Sequence, residues 1–165
     1  MGDAVDDQRI DPPEVVVGEY RGLQLVVAPT DSEHCGYLEE ARQHRLVVQR
    51  CGACGMLRGA IGAACPFCTS PDWSWHAVSG RGVIYSYQIV TQAVHPAFAD
   101  WAPYPVVLVE LAEDPGLRLV GGIADCAPDR LRIGLAVQVW FENAGDGLWL
   151  PQWRPADPAT GASGP

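Results

Sequence analysis

The chain has 165 residues, 48% of them hydrophobic, enough to bury a core as one domain or two small ones. Its 11 cationic side chains are all Arg, set against 20 Asp and Glu, for a formal net charge of −9. Such a surface disfavours general nucleic-acid binding, which draws its affinity from cations that displace condensed counterions, and the lack of any Lys argues against unaided Schiff-base chemistry.

In chain order, Met1 to Ile10 is polar and acidic, without the basic start and apolar stretch of a signal peptide. No window approaches a membrane span. The expected residence is the cytoplasm, where paired cysteines more often hold metal than form disulfides. Residues 1–32, rich in Pro, Gly and Asp with apolar runs at Val15–Val17 and Leu23–Val27, read as an extended arm. Asp31 and Ser32 suit a helix N-cap, and Glu33–Arg45 brings Tyr37, Leu38 and Ala41 onto one helical face. Leu46–Gln49 is a β-type run into a cysteine ribbon that extends to about residue 79, and Ser79, Gly80 and Gly82 mark a boundary.

Beyond it, five β-type runs recur with turn signals between them, as in a small barrel or sandwich: Val83–Thr91, Pro105–Leu111, Leu117–Ile123, Ala136–Glu142 and Gly147–Trp153. In the fourth, Val137, Val139 and Phe141 alternate with Gln138, Trp140 and Glu142, which gives one core face. His95–Tyr104 is a long insertion between two strands. The stretch after Arg154 has nothing to bury, so 156–165 is expected to be a disordered tail. The reading is α+β, mostly β: arm 1–32, helix and ribbon 33–79, barrel 80–155.

The strongest signal is metal. Cys51 and Cys54, ten intervening residues, then Cys65 and Cys68 give two knuckles whose thiolates can converge on one tetrahedral ion. Zinc suits this closed cage better than iron, because it needs no redox partner. Four thiolates leave no open position for catalysis, so the expected zinc is structural, one per chain. No nucleophile elbow, phosphate loop with Lys or His-Glu helix motif for catalytic zinc is present, so no catalytic residue is predicted.

Of the four His residues, His34, His44 and His76 read as surface or hydrogen-bonded residues. His95 opens the insertion carrying Phe98, Trp101 and Tyr104; these four read either as a contact to a partner or ligand or as a local mini-core. Trp73 and Trp75 are expected between ribbon and barrel. Cys35 and Cys126 read as small buried hydrophobes. Arg50, Arg58 and Arg81 are candidates for coenzyme A phosphates or solvated cations. Glu110, in an apolar strand, requires a partner or a raised pKa.

The order of the helix before Leu46-Val-Val-Gln-Arg-Cys51, the two knuckles, Ser79-Gly-Arg-Gly-Val-Ile-Tyr85-Ser, His95-Pro-Ala-Phe98, Pro105-Val-Val-Leu-Val-Glu110-Leu and Gly145-Asp-Gly-Leu-Trp-Leu-Pro151 resembles the acyl-CoA-associated proteins that join a rubredoxin-like zinc ribbon to an OB-fold. The likeness covers roughly Tyr37 to Pro155; Cys35-Gly36-Tyr37-Leu38 departs from a Pro-Phe-Trp-like helix entry common in the family. The resemblance implies a five-stranded OB-fold barrel. It also implies a non-catalytic accessory subunit of a thiolase-fold enzyme dimer, a thiolase or a lipid-transfer-protein-like aldolase, with two copies of each chain. The substrates would be acyl-CoA thioesters in lipid, steroid or aromatic-acid catabolism, with His95, Phe98, Trp101 and Tyr104 near the partner or the acyl-CoA. Two other readings stand beside it: a single-stranded nucleic-acid module of the OB and ribbon type, which the charge opposes, and a stand-alone acyl-CoA-binding protein.

Overall fold

The structure is a computed structural model that describes residues 16–27, 32–59, 61–145 and 147–156. The expected disordered tail lies almost wholly outside the described residues. Within the stretch read as an arm, β1 (Val16–Tyr20) and β2 (Leu23–Val27) form an antiparallel hairpin. Arg21 and Gly22 turn it with φ of 55° and 80°, the left-handed pair that a tight hairpin turn requires. That Arg-Gly turn between two apolar runs is the signal that a reading of the segment as an arm passes over.

Helix α1 (Ser32–Arg42) follows and ends on a left-handed residue, His44, with φ 56°. The His44 N–H donates to the Ala41 carbonyl and the Arg45 N–H to the Glu40 carbonyl, each at 2.9 Å, which satisfies the last carbonyls of the helix. The His44 ring stacks on Phe141 at 5.2 Å and meets Trp149 edge-on at 4.5 Å, so it pins the helix end to the barrel.

The ribbon is a three-stranded sheet in the order β4 (Leu57–Arg58), β3 (Val47–Cys51), β5 (Trp73–Ala77). Trp73 and Trp75 meet edge-on at 4.9 Å, and Trp75 packs toward Tyr37 of α1 at 6.2 Å. Gly36 makes this approach possible, since a Cβ there would sit 2.7 Å from the Trp75 indole nitrogen. Trp75 therefore joins ribbon to helix, a different seam from the ribbon-to-barrel one expected.

The barrel is a five-stranded antiparallel sheet in the order β10 (Trp149–Pro155), β9 (Ala136–Asn143), β6 (Arg81–Val90), β7 (Tyr104–Leu111), β8 (Arg118–Gly122). It curls toward closure where Ile123 bridges Trp153 in parallel, with the Ala124 N–H donating to the Trp153 carbonyl at 2.8 Å. β6 and β9 pair only over Arg81–Val83, beyond which they diverge. Gly80, at φ 71°, lets the strands approach there, because any Cβ would collide with Val139.

One core unites ribbon and barrel. Leu46 and Val48 pack with Ile84, Val107, Val109, Leu111, Val137 and Trp153, so the core crosses the boundary placed at residue 79. Glu110, the carboxylate in an apolar strand, has a partner: Arg118 donates to it at 2.9 Å from Nη2 and lies 3.5 Å over the Tyr85 ring.

Trp153 is 2% exposed and sits at the closure between β8 and β10. Trp153→Ala should lower stability by about 3–5 kcal/mol, the range for large core truncations, with the bound metal retained; denaturant melts of the zinc-loaded chain check it.

Candidate functional site

The metal cage is assembled by the turns that flank β3 and β5. The Gly55 N–H donates to the Cys51 carbonyl at 3.0 Å and the Thr69 N–H to the Cys65 carbonyl at 2.9 Å, which closes each knuckle around its cysteine pair. Two buried polar side chains position the loop between the knuckles. Arg58, 8% exposed, donates to the carbonyls of Ala64 and Gly62, and Gln49, 1% exposed, accepts from the Gly62 N–H at 3.1 Å. Arg58 is thereby a structural clamp turned inward, which removes it from the candidates for a coenzyme A phosphate.

The four sulfurs of Cys51, Cys54, Cys65 and Cys68 lie within 4.8 Å of one another. Cys51 and Cys68 are 3.5 Å apart and Cys54 and Cys65 are 3.7 Å apart, close to the edge of about 3.8 Å that a tetrahedral zinc with Zn–S bonds of about 2.3 Å demands. The backbone supports negative sulfur. The Cys54 N–H, helped by that of Ala53, draws the Cys51 thiol down to about 6. The N–Hs of Cys68 and Phe67 lower Cys65. At Cys54 the Met56 N–H pulls down, but burial and the neighbouring cysteines outweigh it and push the thiol up to about 12. Four sulfurs this close cannot all carry charge by themselves, and a divalent cation resolves that conflict. The donor set fits a structural zinc, with Arg58 and Gln49 holding its second knuckle in place.

The insertion lies on another face. Pro96–Trp101 is a 3-10 turn capped by His95, whose Nδ1 accepts from the Ala97 N–H at 3.1 Å. Phe98 packs its ring 6.3 Å from Tyr20, 6.2 Å from His95 and 6.3 Å from Tyr104. Trp101 stays 48% exposed, with the Arg21 guanidinium 3.6 Å over its ring. The structure thus brings all four predicted residues together: His95 as a cap, Phe98 in local packing, Tyr104 at the start of β7 and Trp101 as an exposed ring.

Residues not singled out in the sequence complete the site. The insertion and the hairpin overhang a cleft of about 320 Å³ whose wall includes Trp140, Glu142 and Gln152. Glu142 accepts from the Tyr20 hydroxyl at 3.0 Å, from Arg21 Nη2 at 3.2 Å and from Gln152 Nε2 at 3.3 Å. Burial and the bond to Glu142 raise the Tyr20 pKa, which keeps its phenol protonated and donating. The alternation in β9 was the available signal, since it sets Trp140 and Glu142 on the face opposite Val139 and Phe141. Among the described residues no helix is long and apolar enough to cross a membrane.

Two family models match the chain, one described as the ChsH2 rubredoxin-like zinc ribbon domain over residues 38–74 and one as the ChsH2 C-terminal OB-fold domain over residues 75–142. A probable enoyl-CoA hydratase alpha subunit of Thermomonospora curvata is 45% identical over 122 residues, which cover 74% of this chain; the chain spans only 37% of that relative. A DUF35 domain-containing scaffold protein of Methanocaldococcus jannaschii is 33% identical over 108 residues, 62% of this chain and 74% of that protein. Among solved structures, a chain of the Ltp2-ChsH2(DUF35) aldolase superposes with a TM-score of 0.67 at 42% identity, covering 76% of this chain and 95% of that one.

Purified chain should carry about one zinc. Acid should release it, because all four ligands must stay deprotonated as the pH falls. Replacing Cys54 or Cys65 by Ser should cost several kcal/mol of stability as the cage opens. Metal analysis after purification under reducing conditions, with melts of the two variants, checks all three; metal-free wild-type protein would refute the assignment.

Proposed function

The chain belongs to the DUF35 family in its ChsH2 form, a rubredoxin-like zinc ribbon joined to an OB-fold, and from that premise we propose that it is a non-catalytic accessory subunit of a thiolase-fold enzyme, thiolase or lipid-transfer-protein-like aldolase. The enzyme acts on acyl-CoA thioesters in lipid, steroid or aromatic-acid catabolism, and the accessory chain shapes or stabilises its active site. The observation that carries this reading is the likeness to a chain of the Ltp2-ChsH2(DUF35) aldolase, nearly all of which this chain matches. The closed four-thiolate cage agrees, because it has no coordination position for a substrate. The assembly we infer is two copies of each chain around an enzyme dimer in the cytoplasm.

The insertion is the contact we assign to the partner. Trp101 is half exposed on a short turn and held flat by Arg21, the kind of pre-set aromatic that anchors interfaces. Phe98 and Tyr104, from the same insertion, pack against each other. The relative named as a hydratase subunit supports a second reading, in which the same surface meets a hydratase-type partner. Co-purification of the natural partner separates the two.

The isolated chain should show no thiolase, aldolase or thioesterase turnover, and activity should appear on adding the partner. Trp101→Ala should weaken the complex by about 2 kcal/mol or more while leaving the free chain folded. Pull-downs run beside thermal melts check this: turnover by the chain alone, or unchanged partner binding with a lowered melting temperature, would overturn the reading.

A further inference from the structure

The cleft beneath the hairpin and insertion has a chemistry of its own. Val107, Trp153 and Val139 face the core, so Val106, Gln152 and Trp140 face away from it, and they line up across neighbouring strands. Gly122, opposite Val106, belongs to the same row and donates its N–H to Gln152 Oε1 at 2.6 Å. Tyr20, Phe98 and Tyr104 come over this row from the hairpin and the insertion. The volume of about 320 Å³ falls at the small end of ligand pockets, roughly 300–1,000 Å³.

The charges in the cleft are already matched. Arg21 and Glu142, its only ionised lining groups, pair at 3.2 Å with most of each side chain buried. An anion would have to take Arg21 from Glu142 and leave a carboxylate uncompensated in a poorly solvated site. A cation would have to displace Arg21 from Glu142, and the Trp101 face that would attract it is covered by Arg21. The Gln152 amide is likewise engaged on both sides, by Gly122 and Glu142. Three lining groups remain open: the Tyr104 hydroxyl makes no hydrogen bond among the described residues, and the buried Nε1 of Trp140 and Nε of Arg21 have no partner. Aromatic walls, an internally paired charge and spare donors at Tyr104 and Trp140 suit an uncharged ring that carries an oxygen.

We propose that this cleft is a binding site for an uncharged, ring-bearing apolar compound or moiety with one hydroxyl or keto oxygen, which meets Tyr104. The proposal goes beyond the partner reading and stands without it, because every wall of the cleft belongs to this chain. It excludes the anionic nucleotide part of an acyl-CoA from the cleft.

The test is calorimetric titration of the full zinc-loaded chain with 2-naphthol and with 2-naphthoate, the same ring carrying a charge. Naphthol should bind saturably at one per chain, with naphthoate at least tenfold weaker. Ala124→Phe, which fills the cleft, should abolish binding, Tyr104→Phe should weaken it severalfold, and Ile133→Ser, an exposed change elsewhere, should leave it unaltered. Absence of naphthol binding, equal or tighter binding of naphthoate, or full binding by a folded Ala124→Phe variant would overturn the proposal. Should Ala124→Phe fail to fold, NMR contacts between bound naphthol and the ring of Trp140 or Tyr104 in the wild-type chain decide the outcome: their presence supports the site and their absence overturns it.

Discussion

Strand β3 ties the metal to the core. Leu46 and Val48 contribute to the packing around Ile84 and Trp153, and three residues after Val48 the same strand delivers Cys51 to the cage. A slip of one residue would turn Val48 out of the core and rotate Cys51 off the ion, because the side-chain period of a strand is two. Gln49 and Arg58, cross-strand neighbours on β3 and β4, extend the constraint to the loop before Cys65. Coordination geometry and hydrophobic register therefore enforce each other. Neither knuckle is an appendage of the barrel, although only a bound cation lets all four sulfurs carry charge together.

The acidic surface gives that arrangement a cost, which local pairing limits. Glu110 is met by Arg118 and Glu142 by Arg21, so the carboxylates set against the sheet are compensated where they stand. The two pairs differ in worth. Arg118 and Glu110 are almost as buried as Arg21 and Glu142, but beyond Arg118 the carboxylate accepts from the Gly116 N–H alone among the described residues. Glu142 also takes a phenol and an amide, and its network links hairpin, β9 and β10. The net charge of −9 favours solubility and opposes phosphate-rich partners.

The ribbon and most of the barrel strands were legible because their signals are local. Cysteine spacing states the cage, and the alternation of Val137, Val139 and Phe141 states a strand and its core face. The helix was legible to within a turn; its end was obscured because no Gly or Asn marks the left-handed position, which His44 takes. The cleft was not legible as a site. It needs Tyr20 against Glu142, 122 positions apart, and nothing in either neighbourhood announces the other. The insertion aromatics were visible, but the choice between contact and mini-core depended on what lay opposite them. The structure divides the cluster, with Phe98 packed inward and Trp101 left half open.

Among the described residues, the hairpin meets the barrel and the insertion through Tyr20 and Arg21, which reach Glu142, Phe98 and Trp101. Contacts of this kind, few and reached across a long stretch of chain, open at less free-energy cost than the core does. Lifting the hairpin would expose Glu142 and Trp140 and empty the cleft while β3, the cage and the barrel register stayed intact. A ligand or partner that engages Trp101 acts on the same few contacts, because Arg21 joins Trp101 to Glu142. Under the two proposals, occupancy of the cleft and docking at the insertion share one guanidinium, since Arg21 touches both Glu142 and Trp101.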